Sequence, residues 1–196
     1  MKPSQKAIQK ALSKKVISTS IAFKLEEILF DKQLEFVTCE DFTATAVCSR
    51  RAGKTISCAA DLVHTALKYP GMNCLYITLT LGMAKRIIWR ELLKILNKFK
   101  IPHKLDNTEL NITFDNGSII YLSGAKDKSE IEKFRGMHLK LVYLDECQSF
   151  GPHIQELIED SISATLMDHN GKLRLIGTPG PVPSGIFYNY SFCLLY

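Results

Sequence analysis

The chain has 196 residues, 46% of them apolar and 23% charged, and a formal net charge of +5. That length fits one large domain, or one domain with an arm, and the composition is that of a folded globular protein. No apolar run reaches the roughly 20 residues that a membrane-crossing helix needs, so no membrane span is expected. The N-terminus is Lys-rich and has no signal-type apolar core.

Six cysteines, Cys39, Cys48, Cys58, Cys74, Cys147 and Cys193, show neither a C-x-x-C nor a paired His spacing. They read as reduced, intracellular thiols rather than a zinc site.

The charge has a local origin. Lys2, Lys6, Lys10, Lys14 and Lys15 all precede the first acid, Glu26. Without those five, the 25 basic residues fall level with the 20 acids. Residues 1–20 therefore read as a basic arm, and residues 21–196 as the domain. Lysines every four positions beside an Ala7, Ile8, Ala11, Leu12 and Val16 stripe predict an amphipathic helix. Its apolar stripe fits packing on the domain; its basic face fits a nucleic acid or a docking partner.

Phe23 to Leu29 is a short helical candidate, and Gln33 follows. Taken alone, Gln33 is a surface glutamine on a helix. About twenty residues before a phosphate-binding loop, its amide can also pair with the adenine edge, one donor and one acceptor against another such pair. An apolar run, Phe42 to Cys48, then leads into Ser49-Arg50-Arg51-Ala52-Gly53-Lys54-Thr55 and a helix, Gly53 to Tyr69.

A strand, a tight loop and Gly-Lys-Thr at a helix start make a P-loop. First-turn N–H groups and the helix dipole favour a polyanion there. Lys54 reaches the β/γ-phosphates and the Thr55 hydroxyl suits Mg²⁺. Position 48, where the common pattern has its first glycine, holds Cys48.

Further on, Asn73 to Thr80 reads as a strand and Leu81 to Lys100 as a helix. In that helix Ile87, Ile88, Leu92, Ile95, Leu96 and Phe99 share a face, and Trp89 reads as core. Leu110–Phe114 and Ser118–Leu122 flank Asp115-Asn116-Gly117, a hairpin signal. Lys126 to Phe134 suggests a short helix. Leu139 to Leu144 is an apolar strand that runs into Asp145-Glu146, the Walker B pattern. Pro152 to Met167 reads as helix, and Leu173 to Ile176 as a strand ending in Gly177-Thr178-Pro179.

Strands alternating with helices, one of them opened by a P-loop, predict an α/β fold: a doubly wound, mostly parallel central sheet with flanking helices and a β-hairpin as an insertion or edge element. Right-handed crossovers would bring the P-loop, Asp145-Glu146 and Thr178 to one sheet edge. There Asp145 would hold the metal, Glu146 would orient the attacking water, and the Thr178 hydroxyl would sense the γ-phosphate. Arg135, just before Gly136, fits an arginine finger, a role worth about 10³–10⁵ in rate, and equally a surface arginine in a loop.

The chain resembles the ATPase domain of large terminase subunits, the DNA-packaging motors of tailed bacteriophages. The residues that carry the resemblance are Gln33 with Phe36, Ser49 to Thr55, Phe134-Arg135-Gly136, Leu141 to Glu146, Gly177-Thr178-Pro179 and Gly185-Ile186-Phe187-Tyr188. It spans Gln33 to Tyr188.

The resemblance implies a RecA-like fold of the additional-strand type, with ATP and Mg²⁺ as cofactors. The activity it implies is ATP hydrolysis that drives double-stranded DNA into a procapsid. It implies a homo-oligomeric ring at the portal protein, a small terminase subunit as partner, and work in the bacterial host cytoplasm. Carried over by position, Gln33 would recognise adenine, and Ser49, Arg50, Arg51, Ala52, Gly53, Lys54 and Thr55 would cradle phosphate. Thr55 and Asp145 would serve the metal. Glu146 would be the catalytic acid, Thr178 the coupling residue, and Arg50 a γ-phosphate sensor. Arg135 would be a finger acting on a neighbouring subunit.

Family members usually continue into a nuclease domain with a cluster of metal-binding acids. The sequence stops soon after Tyr188, so DNA cutting is not assigned. Two other readings stay open on these residues: a helicase-like translocase, which would need a second RecA-like domain, and an inactive nucleotide-binding remnant.

Overall fold

A computed structural model describes residues 23–126, 133, 136–150, 153–179 and 186–190. The arm expected over residues 1–20 and the short helix expected over 126–134 lie outside the described residues, apart from 126 and 133.

The described strands are β1 (Thr43–Val47), β2 (Asn73–Thr78), β3 (His103–Asp106), β4 (Asn111–Phe114), β5 (Ile119–Gly124), β6 (Leu139–Leu144) and β7 (Lys172–Gly177). They form one seven-stranded sheet in the order β1-β7-β6-β2-β5-β4-β3. From β1 across to β5 every pairing is parallel, and β4 and β3 add an antiparallel end. β7 lies between the strand that enters the P-loop and the strand that enters Asp145-Glu146, the additional-strand arrangement the resemblance implied.

Parallel strands joined by helical crossovers are covered on both faces, so their sequences are apolar at nearly every position. β2 shows this directly. Cys74 and Tyr76 belong to one core, Leu75 and Ile77 to the other. The first core packs the P-loop helix (Lys54–Lys68) and the Arg90–Lys98 helix on the sheet, through Cys58, Leu62, Ala66, Leu92 and Leu96. The second packs Leu157, Ile158, Ile162 and Leu166 against Val142, Leu144, Leu173 and Leu175.

Several expectations need adjusting. The stretch from Phe23 to Leu29 makes a single 3-10 turn, Leu25–Glu27. It stops there because Phe30 is extended and opens the next helix, Asp31–Thr38, with its N–H donating to Gln33 Oε1 at 3.2 Å. The helix expected from Leu81 contains a π-helical stretch, Lys85–Trp89, between Leu81–Ala84 and Arg90–Lys98. The wider turn brings Ala84 and Trp89, five apart, into the same core. Leu157–Ile162 does the same in the helix that runs on to Met167, where Leu157 and Ile162 are both buried.

Lys140 is an extra residue in β6: Asn73 pairs with Leu139, but Cys74 pairs with Leu141. This bulge reverses the alternation, so Leu139 faces the second core and Leu141 the first. β3 was not foreseen. Three of its four residues are exposed, so no apolar alternation marks it.

Candidate nucleotide site

The P-loop leaves β1 through Cys48, whose N–H donates to the Gly177 carbonyl at 3.2 Å and extends the β1–β7 ladder by one residue. Cys48 has no left-handed backbone; in this loop positive φ falls on Arg51 (68°) and Gly53 (79°). A side chain at position 48 is therefore tolerated, which accounts for the departure from the common glycine pattern. Arg51 holds the left-handed conformation at a cost of about 1–2 kcal/mol.

Gly53 caps the helix that starts at Lys54. The first-turn N–H groups of a helix have no partner within it, so they are available to an anion. Lys54 Nζ folds back on the loop and donates to the carbonyls of Cys48 (3.1 Å) and Ser49 (3.0 Å).

Gln33 is buried beside the loop, with Nε2 donating to the Gly53 carbonyl at 3.0 Å. A Cβ at Gly53 would overlap that Nε2, so only glycine allows the approach. With Oε1 taking the Phe30 N–H, the Gln33 amide is held by the loop and the helix start. Gln33 also lines a recess of about 200 Å³ with Phe30, Phe36, Val47, Ser49 and Ile176. Ala52 and Lys54 line both this recess and the cleft next to it.

That cleft, of about 420 Å³, is lined by Arg50, Arg51, Ala52, Gly53, Lys54, Thr55, Asp145, Glu146 and Thr178. Residues separated by more than a hundred positions meet there because β1, β6 and β7 are neighbours and end on the same side. Asp145 stays in the sheet through its N–H, which donates to the Ile77 carbonyl at 2.9 Å. Its carboxylate accepts the Tyr76 hydroxyl on Oδ2 and the Glu146 N–H at 2.7 Å on Oδ1. Burial pushes the Asp145 carboxyl up, against the Tyr76 and Glu146 N–H hydrogen bonds that favour its charged form. Burial likewise raises the Tyr76 phenol, and the neighbouring Asp145 charge adds to it.

Glu146 sits at φ 57°, a left-handed position for a residue that carries a side chain. Gln148, on the next turn, donates from Nε2 to the Glu146 carboxylate and to Thr178 Oγ1 at 3.1 Å.

Eleven of the twelve residues named from the sequence thus line the recess or the cleft. Arg135 is the exception, and lies outside the described residues. Sequence reasoning missed Tyr76 and Gln148. Tyr76 had a faint signal, one hydroxyl in the apolar centre of its strand. Gln148 had a better one, a third polar side chain two positions past the acids. Ile87 and Glu91, which also line the cleft, had none.

A family model described as phage terminase large subunit matches residues 40–189. The chain belongs to that family.

Membership in the family of phage terminase large subunits supports the terminase reading and not the helicase-like one. No curated protein matches the chain. Among solved structures, the fold is similar to the large terminase ATPase domain of Thermus phage P74-26. The TM-score there is 0.67 at 19% identity, over 96% of this chain and 74% of that one. It is similar to the large terminase of another thermophilic bacteriophage in complex with ADP, with TM-score 0.62 and 21% identity over 76% of this chain and 39% of that one. The large terminase of bacteriophage HK97 gives 0.59 at 16% identity, over 76% of this chain and 33% of that one. In the last two comparisons, the chain matches less than half of the other protein's length.

Proposed function

We propose that this terminase-family chain binds ATP at the cleft and hydrolyses it, and that the hydrolysis drives double-stranded DNA into a procapsid. One observation supports the reading above the others: an ammonium group, two hydroxyls and two carboxylates from three sheet-edge loops line a single cleft beside a helix N-terminus. The thermophilic-phage large terminase solved with ADP has also been solved with ATP-gamma-S, which supports nucleotide as the ligand class.

Phosphoryl transfer asks for positioning and charge neutralisation rather than covalent chemistry from the protein. Lys54 would exchange the Cys48 and Ser49 carbonyls for β/γ-phosphate oxygens. The first-turn N–H groups and Arg50 would take the remaining phosphate charge. The recess beside Gln33 has the apolar walls a base requires, and for Gln33 to read adenine its amide must give up the Phe30 N–H.

Among the described residues no group of three or more His, Cys, Asp or Glu could hold a metal by itself. One hydroxyl and one carboxylate, Thr55 and Asp145, fit Mg²⁺, which keeps several waters and takes its other ligands from substrate phosphates. When bound, the ion would neutralise charge on the transferred phosphoryl group. Glu146 would orient and polarise the attacking water. Thr178 would sense the loss of γ-phosphate and pass it on to whatever grips the DNA.

In the assembled motor, we expect a homo-oligomeric ring at the portal protein, with the small terminase subunit as partner. In that ring Arg135 would act on a neighbour's site. The isolated chain should then bind ATP and turn it over weakly. Lys54→Ala should abolish ATP binding and turnover. Glu146→Gln should abolish turnover and keep binding, as read with a fluorescent ATP analogue and phosphate release. Full activity in both variants would remove the assignment. A chain that binds nucleotide without turning it over would leave the inactive-remnant reading.

A further inference from the structure

We propose that Gln148 is a positioning residue that fixes the Glu146 carboxylate and ties it to the loop after β7. The proposal rests on the ATPase reading above and concerns a residue that reading leaves without a role.

Gln148 lies on the 3-10 turn Cys147–Ser149, directly after the two acids. Its amide has two N–H donors. One goes to the Glu146 carboxylate and the other to Thr178 Oγ1. Its oxygen, Oε1, is buried and has no hydrogen-bond partner. Such an orphan is unfavourable and calls for a reason.

The reason lies in the two acceptors. An ionised carboxylate only accepts, so turning the amide over would set oxygen against oxygen and lose the contact. The carboxylate thus sets which way the amide faces, the Thr178 hydroxyl takes the second donor, and the oxygen is left facing Gly177. A Cβ at Gly177 would overlap Oε1 and the Phe187 ring, so the glycine at the end of β7 leaves the room that the amide occupies. Gln148 is thus the bridge between the acid that would orient water and the hydroxyl that would sense phosphate. Thr178 cannot shift without moving the donor that holds Glu146.

The test compares wild type, Gln148→Ala, Gln148→Glu, Thr178→Val and the Gln148→Ala/Thr178→Val double variant. Affinity for a fluorescent ATP analogue and single-turnover hydrolysis under protein excess are measured for each, with the thermal midpoint as a folding control. Gln148→Ala should slow hydrolysis by roughly tenfold or more and change nucleotide affinity by less than about threefold, the split expected when only the transition state loses support. Gln148→Glu, equal in size but without the donors, should be as slow. Because one bridge is cut in both singles, the double variant should be within about threefold of the slower single.

Hydrolysis at the wild-type rate in Gln148→Glu or Gln148→Ala overturns the proposal, as does a double variant whose loss is the product of the two singles. Should Gln148→Ala not fold, Gln148→Glu carries the measurement. A wild-type chain that neither binds nor hydrolyses ATP removes the ATPase reading, and this proposal with it. A wild type that hydrolyses while the Gln148 variants keep pace removes this proposal alone.

Discussion

At Gly53 the backbone stands at φ 79°, and a Cβ would run into Nε2 of Gln33. Gly53→Ala therefore meets both a conformational and a steric penalty. Left-handed backbone alone costs roughly 1–2 kcal/mol, and losing the Gln33 hydrogen bond adds about 1 kcal/mol. A combined loss of about 2–3 kcal/mol lowers the thermal midpoint by roughly 4–12 °C in a chain of this size, which differential scanning fluorimetry will read. Nucleotide affinity should fall as well, because the same swap displaces the loop that Lys54 leaves.

At this scale the sequence was informative wherever chemistry demands a residue type. Lys54, Thr55, Asp145 and Glu146 could be named from their place after strands. Tyr76 and Gln148 act through other residues, and nothing in a strand pattern says which hydroxyl or amide will reach a carboxylate. Cys48 is the reverse case: a missing glycine looked like a departure, and the backbone there never required one.

Among the elements, the P-loop helix and the β4–β5 hairpin depend on each other. Asn116, in the turn between β4 and β5, donates from Nδ2 to the carbonyls of Ala66 (2.8 Å) and Leu67 (3.3 Å) at the far end of that helix. Ser118 Oγ adds a 2.6 Å hydrogen bond to Ala66 O. The hairpin thus caps carbonyls that a helix end leaves without partners. Asn116→Ala should destabilise the fold by about 1–2 kcal/mol, read by urea unfolding, while leaving affinity for ATP unchanged.

Asn-Gly announced this turn from sequence because Gly117 must take φ 85°. Its second task, holding a helix about fifty residues away, had no local signature. The two π stretches were hidden for a related reason. A single extra residue in a helical turn leaves the apolar period nearly intact over a short window, and only packing reveals it.

For the molecule as a whole, chain order and crossover handedness were enough to bring the three loops to one sheet edge. They were not enough to order the strands. That β7 would enter between β1 and β6 came from the resemblance, and β3 came from neither. The basic arm remains a sequence-level expectation with a direct test. Deleting residues 1–15, with their five lysines, from a chain that binds DNA should reduce the slope of log affinity against log salt by up to about 4.5, at roughly 0.9 per phosphate neutralised. An unchanged slope would return the arm to packing on the domain.

Arg174 has a consequence for motion. It stands at the middle of β7, fully buried, with its guanidinium donating to the carbonyls of Cys39 (2.6 Å) and Asp41 (3.2 Å). Lys172, at the start of the same strand, donates to Cys39 O as well. The rear half of β7 is thereby moored to the segment that connects the Gln33 helix to β1. If Thr178 couples hydrolysis to movement as proposed, sliding this strand lengthwise would break those moorings, and a swing at Thr178 itself would not. The stroke of such an engine would begin as a hinge at the strand's tip, with the shaft behind it standing still.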